Sequence, residues 1–557
     1  MKTLGSKFIL ATAGLCLAAL CLLSGRAQAK TADEEAARIS ALSAMEPVPA
    51  AAVAVQPLIA AEETWDIEDE RLPAEEPLLR TLRCLTGEAG CDAATRTFYV
   101  CIGSSLEEWP ELLLTGEGAD GLQLAWADDY AWDYPDEAVA GSQRYRILAW
   151  TQERYEYVEV IFTGLPIVSV HTMDRETPGD AYMPARVSVS AKGYEPVSSV
   201  AQVHKRGGGY RDPEKYSLRV EFAERKNKGG YRKGRPSLLG MAADSDWLLI
   251  SNDTDETLMR NAMGWQLWQK MNPEGEAFAL LESRMVEVCV NDCYMGVYAL
   301  QQRIKPEREL LRMGGSSSDL SARIILKEGI EERPVLDTSA VFNGGWLELR
   351  YKPETMTVSD AFAAYEDLLR LSSPQDSVNG LDDEAFLALA QKRVDTGALM
   401  RYLLFFEAAA LGDDNTKNNL YFWCVHRDGR QLYYLSPWDM DQGFNDHGSV
   451  GGDVNFSLAL PIRLLTLDAP GCREALWRDW KAFREGVLSE SAVYEWMDGI
   501  ESEMNASGAM LRESERWPGR PDRMDLMADR VYLLEHLEAL DRDFKNLWPL
   551  PETEAAP

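Results

Sequence analysis

From about residue 95 this chain carries short β-rich runs separated by turn residues, and the larger region from about residue 165 adds the period of amphipathic helices, most of all in its C-terminal half. The short β-rich runs are Thr97-Phe98-Tyr99-Val100 and Tyr157 to Phe162, followed by Leu165 to Val170 and by strand-like stretches near 186–190, 217–222, 286–290, 296–300 and 431–436. Helical periodicity holds over 257–271, 358–371, 396–411 and 522–547. A period of two places alternate side chains on one face of a strand, and a period near 3.6 gives a helix one apolar stripe. The chain is therefore expected to be α+β, a small β-domain preceding a mixed region whose C-terminal half is helical. At 557 residues it is long enough for more than one domain.

Composition shifts divide the chain. Residues 1–29 carry Lys2 and Lys7, an apolar run from Phe8 to Leu23, and then Arg26-Ala27-Gln28-Ala29, which is the order of a signal peptide ending in an A-x-A cleavage site. The apolar run is short for a membrane span, and no second stretch is long enough to be one. Residues 30–94 are rich in Ala, Glu and Pro and read as a flexible acidic leader without a core. Residues 95–163 read as a small β-sandwich-like domain, and 164–550 as a larger α+β domain. An exported chain meets an oxidising compartment, so Cys84 and Cys91, separated by a short Gly-containing segment, are expected to form a disulfide, with Cys101 as a competing partner. Cys289 and Cys293 are the other near pair. No C-x-x-C pair occurs and the five His are scattered, so no structural zinc site is expected. The formal net charge of −33 argues against non-specific binding to nucleic acid or anionic lipid.

Two stretches carry candidate chemistry. Between His204 and Pro236 there are eleven Lys or Arg and four acidic residues, with Gly207-Gly208-Gly209 near the start. Glycines let backbone N–H groups approach an anion closely, and Lys215 and Arg219 follow on an expected strand, Tyr216 to Phe222, sharing a face. A solvated hairpin would carry the same composition. The second stretch, Asp413-Asp414-Asn415-Thr416-Lys417-Asn418-Asn419, ends the helix 396–411. It precedes Leu420 to Trp423, the turn Asp428-Gly429, and a strand ending in Trp438-Asp439-Met440-Asp441. A carboxylate five residues before an amide, then an apolar strand ending in Asp, suits phosphoryl transfer: one acid orients the hydroxyl while the amide and second acid hold Mg²⁺. A helix cap with surface carboxylates, or a Ca²⁺ site, fits the same spacing. No G-x-S-x-G elbow supports a serine hydrolase. His204 reads more simply as a strand-end surface residue than as a phosphate ligand, and Trp247, Trp265, Trp268 and Trp346 as core rather than sugar-stacking residues.

Five blocks in order resemble the CotH (spore-coat protein H) family of atypical protein kinases. They are Arg206-Gly207 through Lys215 to Glu221-Phe222; Leu239-Gly240, Asp246 to Leu249, Asp255 and Leu258 to Asn261; Val286 to Val288 with Asn291 and Gly296-Val297-Tyr298; Tyr351-Lys352-Pro353-Glu354; and Trp438 to Asp441. The resemblance covers most of residues 165–550 and implies an atypical protein-kinase-like fold, with a β-rich N-lobe and a helical C-lobe. It implies transfer of the ATP γ-phosphate to Ser or Thr of a protein substrate, such as a coat or extracellular protein, with Mg²⁺ or Mn²⁺. By the same resemblance Arg206, Lys215 and Arg219 would bind nucleotide, with Lys215 on the phosphates. Asp414 would be the catalytic carboxylate, and Asn419, Asp439 and Asp441 would serve the metal. Asp413 with Asn418 fits the same spacing one residue earlier. The chain departs from the family at Gly208-Gly209-Tyr210, where Asn-Ser-Ser is common, and at Gln302, where a Glu that could pair with the phosphate-binding Lys is common. An idle kinase fold, serving as a binding or structural protein of a spore coat, envelope or extracellular assembly, is the alternative.

The leader order yields a direct expectation: N-terminal sequencing of exported protein should start at about Lys30, and an intact Met1 on cytoplasmic protein would contradict it.

Overall fold

The computed structural model describes residues 36–46, 51–207, 214–227, 230–314, 318–325, 339–342, 345–373, 375–376, 380–412, 419–445 and 458–550. Residues 1–29, expected from the sequence to be a signal peptide, lie outside them. Three sheets precede or interleave with the helices, so the chain is mixed α+β, as the two periodicities predict.

Strand formation begins earlier than composition suggests. Ten strands between Val53 and Thr163 form one sheet, and its core includes Leu79 and Leu82, both fully buried. Residues 36–44 form a helix whose Leu42, also fully buried, packs on Val200, Ala223 and Tyr231. The stretch read as a core-less leader thus contributes both a helix and strands, because its scattered Leu, Ile and Val gain burial only against residues far along the chain. The expected Cys84–Cys91 bridge is absent, and both thiols are free. Cys84 pairs with Gly87 in a tight hairpin, whereas Cys91 has crossed to a different strand opposite Phe98. Cys84 Sγ instead lies 2.9 Å from Thr86 Oγ1.

The second sheet runs, in spatial order, Val197–Arg206, Met183–Ser190, Ile167–Thr172, Ser283–Val290, Cys293–Gln302, Asp246–Ile250, Ser217–Arg225 and Tyr231–Lys233. Val197–Arg206 also pairs with Ser217–Arg225, which closes seven of these strands into a barrel. Alternation then has a simple meaning. Val187, Val203, Leu218, Val220, Trp247, Leu249, Val288 and Tyr298 fill the interior. Their strand neighbours point outward, and those outer residues divide into distinct patches. Ile167 and Cys289 meet Tyr99 and Ile161 of the N-terminal sheet, while Leu248, Val297 and Ala299 join the core of the helical half.

The third sheet has five strands ordered Ser339–Phe342, Gly345–Tyr351, Leu320–Ile325, Leu420–Arg427 and Arg430–Pro437. The last two form the hairpin expected around Asp428-Gly429, and both turn residues have positive φ, at 50° and 72°. Helix Thr396–Ala408, capped by Asp395 accepting from Ala398 N at 3.0 Å, is buried along most of its length. Trp247, Trp265 and Trp268 are core residues, as packing requires.

One short helix, Ala509–Arg516, joins these parts. Its fully buried Arg512 donates to both oxygens of Glu287 on the barrel at 2.7 Å, to Thr163 Oγ1 of the N-terminal sheet at 2.6 Å and to Ser142 Oγ at 2.7 Å. Removing one member of a buried ion pair strands the other, which typically costs about 3–5 kcal/mol. Urea denaturation of Arg512→Ala should show a loss of that size, about 3–5 kcal/mol, and Arg512→Met combined with Glu287→Leu should recover most of it. A single-variant loss near zero would contradict this account.

Candidate functional site

The hairpin Leu420–Arg427 and Arg430–Pro437 places the expected metal ligands together at one end. Leu420 lies opposite Pro437, so Asn419 enters the first strand where Trp438 and Asp439 leave the second. Asn419 and Asp439 both adopt left-handed backbone, with φ of 57° and 56°, a conformation that Asn and Asp tolerate better than most residues. The turn that follows is fixed from the side. Asn261 Oδ1 accepts from Met440 N at 3.3 Å, and Gly264 admits the Met440 side chain, since a Cβ there would lie 2.8 Å from its sulfur. Asp441 Oδ2 accepts from Thr254 Oγ1 at 2.6 Å. Asp414, and equally Asp413 and Asn418, lie outside the described residues, as do Gly208, Gly209 and Tyr210.

The donor set fits a hard divalent cation. Two carboxylates and an amide are oxygen donors of the kind Mg²⁺ takes, and Mg²⁺ commonly fills its remaining positions with water and substrate phosphates. Among the described residues no group of three or more His, Cys, Asp or Glu converges, so a metal here would rest on Asp439, Asp441 and Asn419.

The three expected nucleotide-binding residues separate. Arg206, at the end of its barrel strand, stacks over Trp438 with 5.6 Å from guanidinium to ring centroid, and so sits beside the hairpin end. Arg219 points to the same outer side of the barrel: its neighbour strand pairs His204 with Arg219 and Arg206 with Ser217. It is held by Glu221 and by Asp246 Oδ1, the latter at 2.7 Å. Lys215 precedes the strand Ser217–Arg225 rather than lying on it, and its ammonium is paired with Glu513 with no exposed side-chain surface on either partner. Burial pushes the Lys215 amine below the usual lysine range, against the opposing pull of Glu513. Glu513 also accepts from Val297 N at 2.7 Å and has Arg520 Nε 3.5 Å away. A Cβ at Gly296 would lie 2.0 Å from its Oε2, so glycine, here at φ 87°, is what lets the pair close. The missing family Glu at Gln302 therefore does not leave Lys215 without a counter-charge. Gln302 donates to Ala242 O at 2.9 Å, and the carboxylate comes from 298 residues along the chain.

Arg520 extends this link toward the hairpin. It donates to Asp253 Oδ1 at 2.6 Å and to Asp255 O at 2.9 Å, on the loop whose Thr254 holds Asp441.

Two cations that sequence reading did not single out face the same side. Arg303 follows the strand Cys293–Gln302 beside Asp246, and Arg350 lies on Gly345–Tyr351 with Glu348 Oε2 at 3.0 Å. Burial would raise the Asp246 carboxyl, but hydrogen bonds from Arg219 and Lys305 outweigh it and hold the group well below the usual carboxylate range. His204 Nδ1 is 2.6 Å from Lys205 O, and burial lowers its pKa, so it stands neutral at pH 7.

The family model described as CotH kinase protein matches residues 203–538, which spans the barrel from its strand at Val197–Arg206, the five-stranded sheet and most of the helical half. The chain belongs to the CotH family. No curated protein matches it.

The Lys215–Glu513 pair makes its own expectation. Glu513→Gln should leave a sealed lysine without a counter-charge and cost about 3–5 kcal/mol. Gln302→Ala, losing one neutral hydrogen bond, should cost about 1 kcal/mol. Chemical denaturation that ranked the two the other way would refute this assignment of the counter-charge.

Proposed function

We propose that this chain is a secreted CotH-like protein kinase that transfers the γ-phosphate of ATP to Ser or Thr of a protein substrate, its barrel and helical half forming the two lobes of a kinase-like fold. One observation carries the reading: the hairpin presents Asn419 and Asp439 at one end, directly beside Arg206 on the cationic outer side of the barrel. A carboxylate and an amide that can hold a divalent cation thus stand beside guanidinium groups that can hold phosphate, which is what phosphoryl transfer needs from a protein.

In this reading Asp439, with Asn419 and Asp441, would hold Mg²⁺ or Mn²⁺, which supplies charge neutralisation of the phosphates when bound. Asp414 orients the substrate hydroxyl and accepts its proton. The hydroxyl oxygen forms a bond to the γ-phosphorus as the bond to the β–γ bridging oxygen breaks, and ADP leaves. The mature protein acts outside the cytoplasm if residues 1–29 direct export, and its substrate would be a coat, envelope or extracellular protein. No helix among the described residues is long and apolar enough to cross a membrane.

The closed Lys215–Glu513 pair favours a second reading, a kinase-fold binding or structural protein without turnover. With no exposed surface on its side chain, Lys215 can touch a phosphate only if the pair opens.

Calorimetry beside a radiolabel transfer assay decides between them. Asp439→Ala should weaken Mg-ATP binding and spare metal-free nucleotide, while Asp414→Asn should keep Mg-ATP affinity within a few-fold and abolish transfer. Wild-type protein that binds no Mg-ATP at millimolar nucleotide would remove the kinase reading. Full activity in Asp414→Asn would move the catalytic role to Asp413.

A further inference from the structure

We propose that Arg303 and Arg350, with Arg219 and Arg206, form the site that grips the polyphosphate of the nucleotide, in place of the sealed Lys215. The identity of the ligand rests on the phosphotransfer reading above; the anion site itself rests on charge and geometry.

The cations outnumber their partners at the centre of the site. The single carboxylate of Asp246 has Lys305 at 2.5 Å, Arg219 at 2.7 Å, Arg303 at 3.9 Å and Lys233 at 4.0 Å. Glu221 is taken by Arg219, Glu348 by Arg350, and Asp244 by Lys305 and Arg308. Arg303 is left over. Its side chain is only 29% exposed, its one ion-pair partner is Asp246 at 3.9 Å, and its five N–H groups make no hydrogen bond among the described residues. Burial lowers its pKa, and repulsion from Arg219 and Arg350 lowers it further. Buried charge in this state is costly, and a dianionic or more highly charged ligand relieves it.

Other groups on the same side are also unsatisfied. Arg219 Nε and His204 Nε2 are buried and without a hydrogen-bond partner among the described residues, and the two residues lie directly opposite each other on adjacent strands. Aromatic rings border the cations: Tyr421 and Trp438 stand 6.0 Å apart between centroids, Arg206 covers Trp438, and Arg219 lies 5.6 Å from the Tyr182 ring. Guanidinium forks match phosphate oxygens two at a time. Trp438 leads directly into Asp439, so an anion on these arginines lies against the metal-ligand candidates rather than on the Lys215 side of the barrel.

Inorganic tripolyphosphate, titrated without metal into the full chain, tests this. Wild type should bind it, and Arg303→Ala and Arg350→Ala should each weaken binding by about tenfold or more, the loss expected for a charge-assisted hydrogen bond. Arg303→Lys should fall between, and Arg284→Ala, an exposed cation elsewhere on the barrel, should match wild type. Without anion the thermal midpoint of Arg303→Ala should hold or rise, because a repelled, poorly solvated charge has gone. Absence of binding by wild type, wild-type affinity in both alanine variants, or a large fall in that midpoint would overturn the proposal. Mg-ATP transfer assays on the same proteins separate its failure from that of the kinase reading. Tripolyphosphate bound through these arginines by a protein that never transfers phosphate keeps the anion site and removes the kinase. Transfer with wild-type efficiency in Arg303→Ala and Arg350→Ala removes the anion site and keeps the kinase.

Discussion

Two consecutive residues, Arg512 and Glu513, reach in different directions from one short helix, and the rest of the molecule is arranged around what they hold. Arg512 joins the N-terminal sheet to the barrel through Thr163 and Glu287. Glu513 seals Lys215 and binds the Val297 amide on the neighbouring barrel strand. Buried ion pairs gain little net energy over an apolar replacement, yet they punish any arrangement that separates the partners. Here that penalty fixes the register of three units relative to one another. It also fixes Gly296, where no side chain fits beside the Glu513 carboxylate.

The constraint has a chemical consequence. A lysine whose ammonium is neutralised and enclosed is a structural group in this conformation. The half-buried cationic face belongs instead to arginines on the outer side of the barrel and on the neighbouring five-stranded sheet. Arg206 reaches Trp438 from one edge, and Arg303 and Arg350 stand at the other. The hairpin end carrying Asn419 and Asp439 borders this surface, so the two halves of a phosphoryl-transfer site come from elements that share no sequence neighbourhood.

Much of this was legible in the sequence wherever the signal is local. The strands near 217–222, 286–290 and 296–300, the helix over 396–411 and the turn Asp428-Gly429 follow from periodicity and turn chemistry, and the pairing of Leu420 with Pro437 follows from that turn. Non-local pairings leave no such trace. Nothing near Lys215 points to a carboxylate 298 residues later, nothing in Val197–Arg206 announces that it closes a barrel on Ser217–Arg225, and Arg303 and Arg350 belong to no motif. The acidic stretch before residue 95 misleads for the same reason, since Leu42, Leu79 and Leu82 gain their burial only from distant partners. Cys84 and Cys91 look adjacent in sequence, but a hairpin and a strand crossing take them apart.

The central claim is that the arginines beside the hairpin end, and not the enclosed lysine, receive the nucleotide phosphates. A crystal structure of the chain with Mg²⁺ and a non-hydrolysable ATP analogue tests it most directly. The account predicts phosphate oxygens on the guanidinium groups of Arg303 and Arg350, the metal at Asp439 and Asn419, and Lys215 still paired with Glu513. Phosphates on the Lys215 ammonium with Glu513 displaced would contradict it.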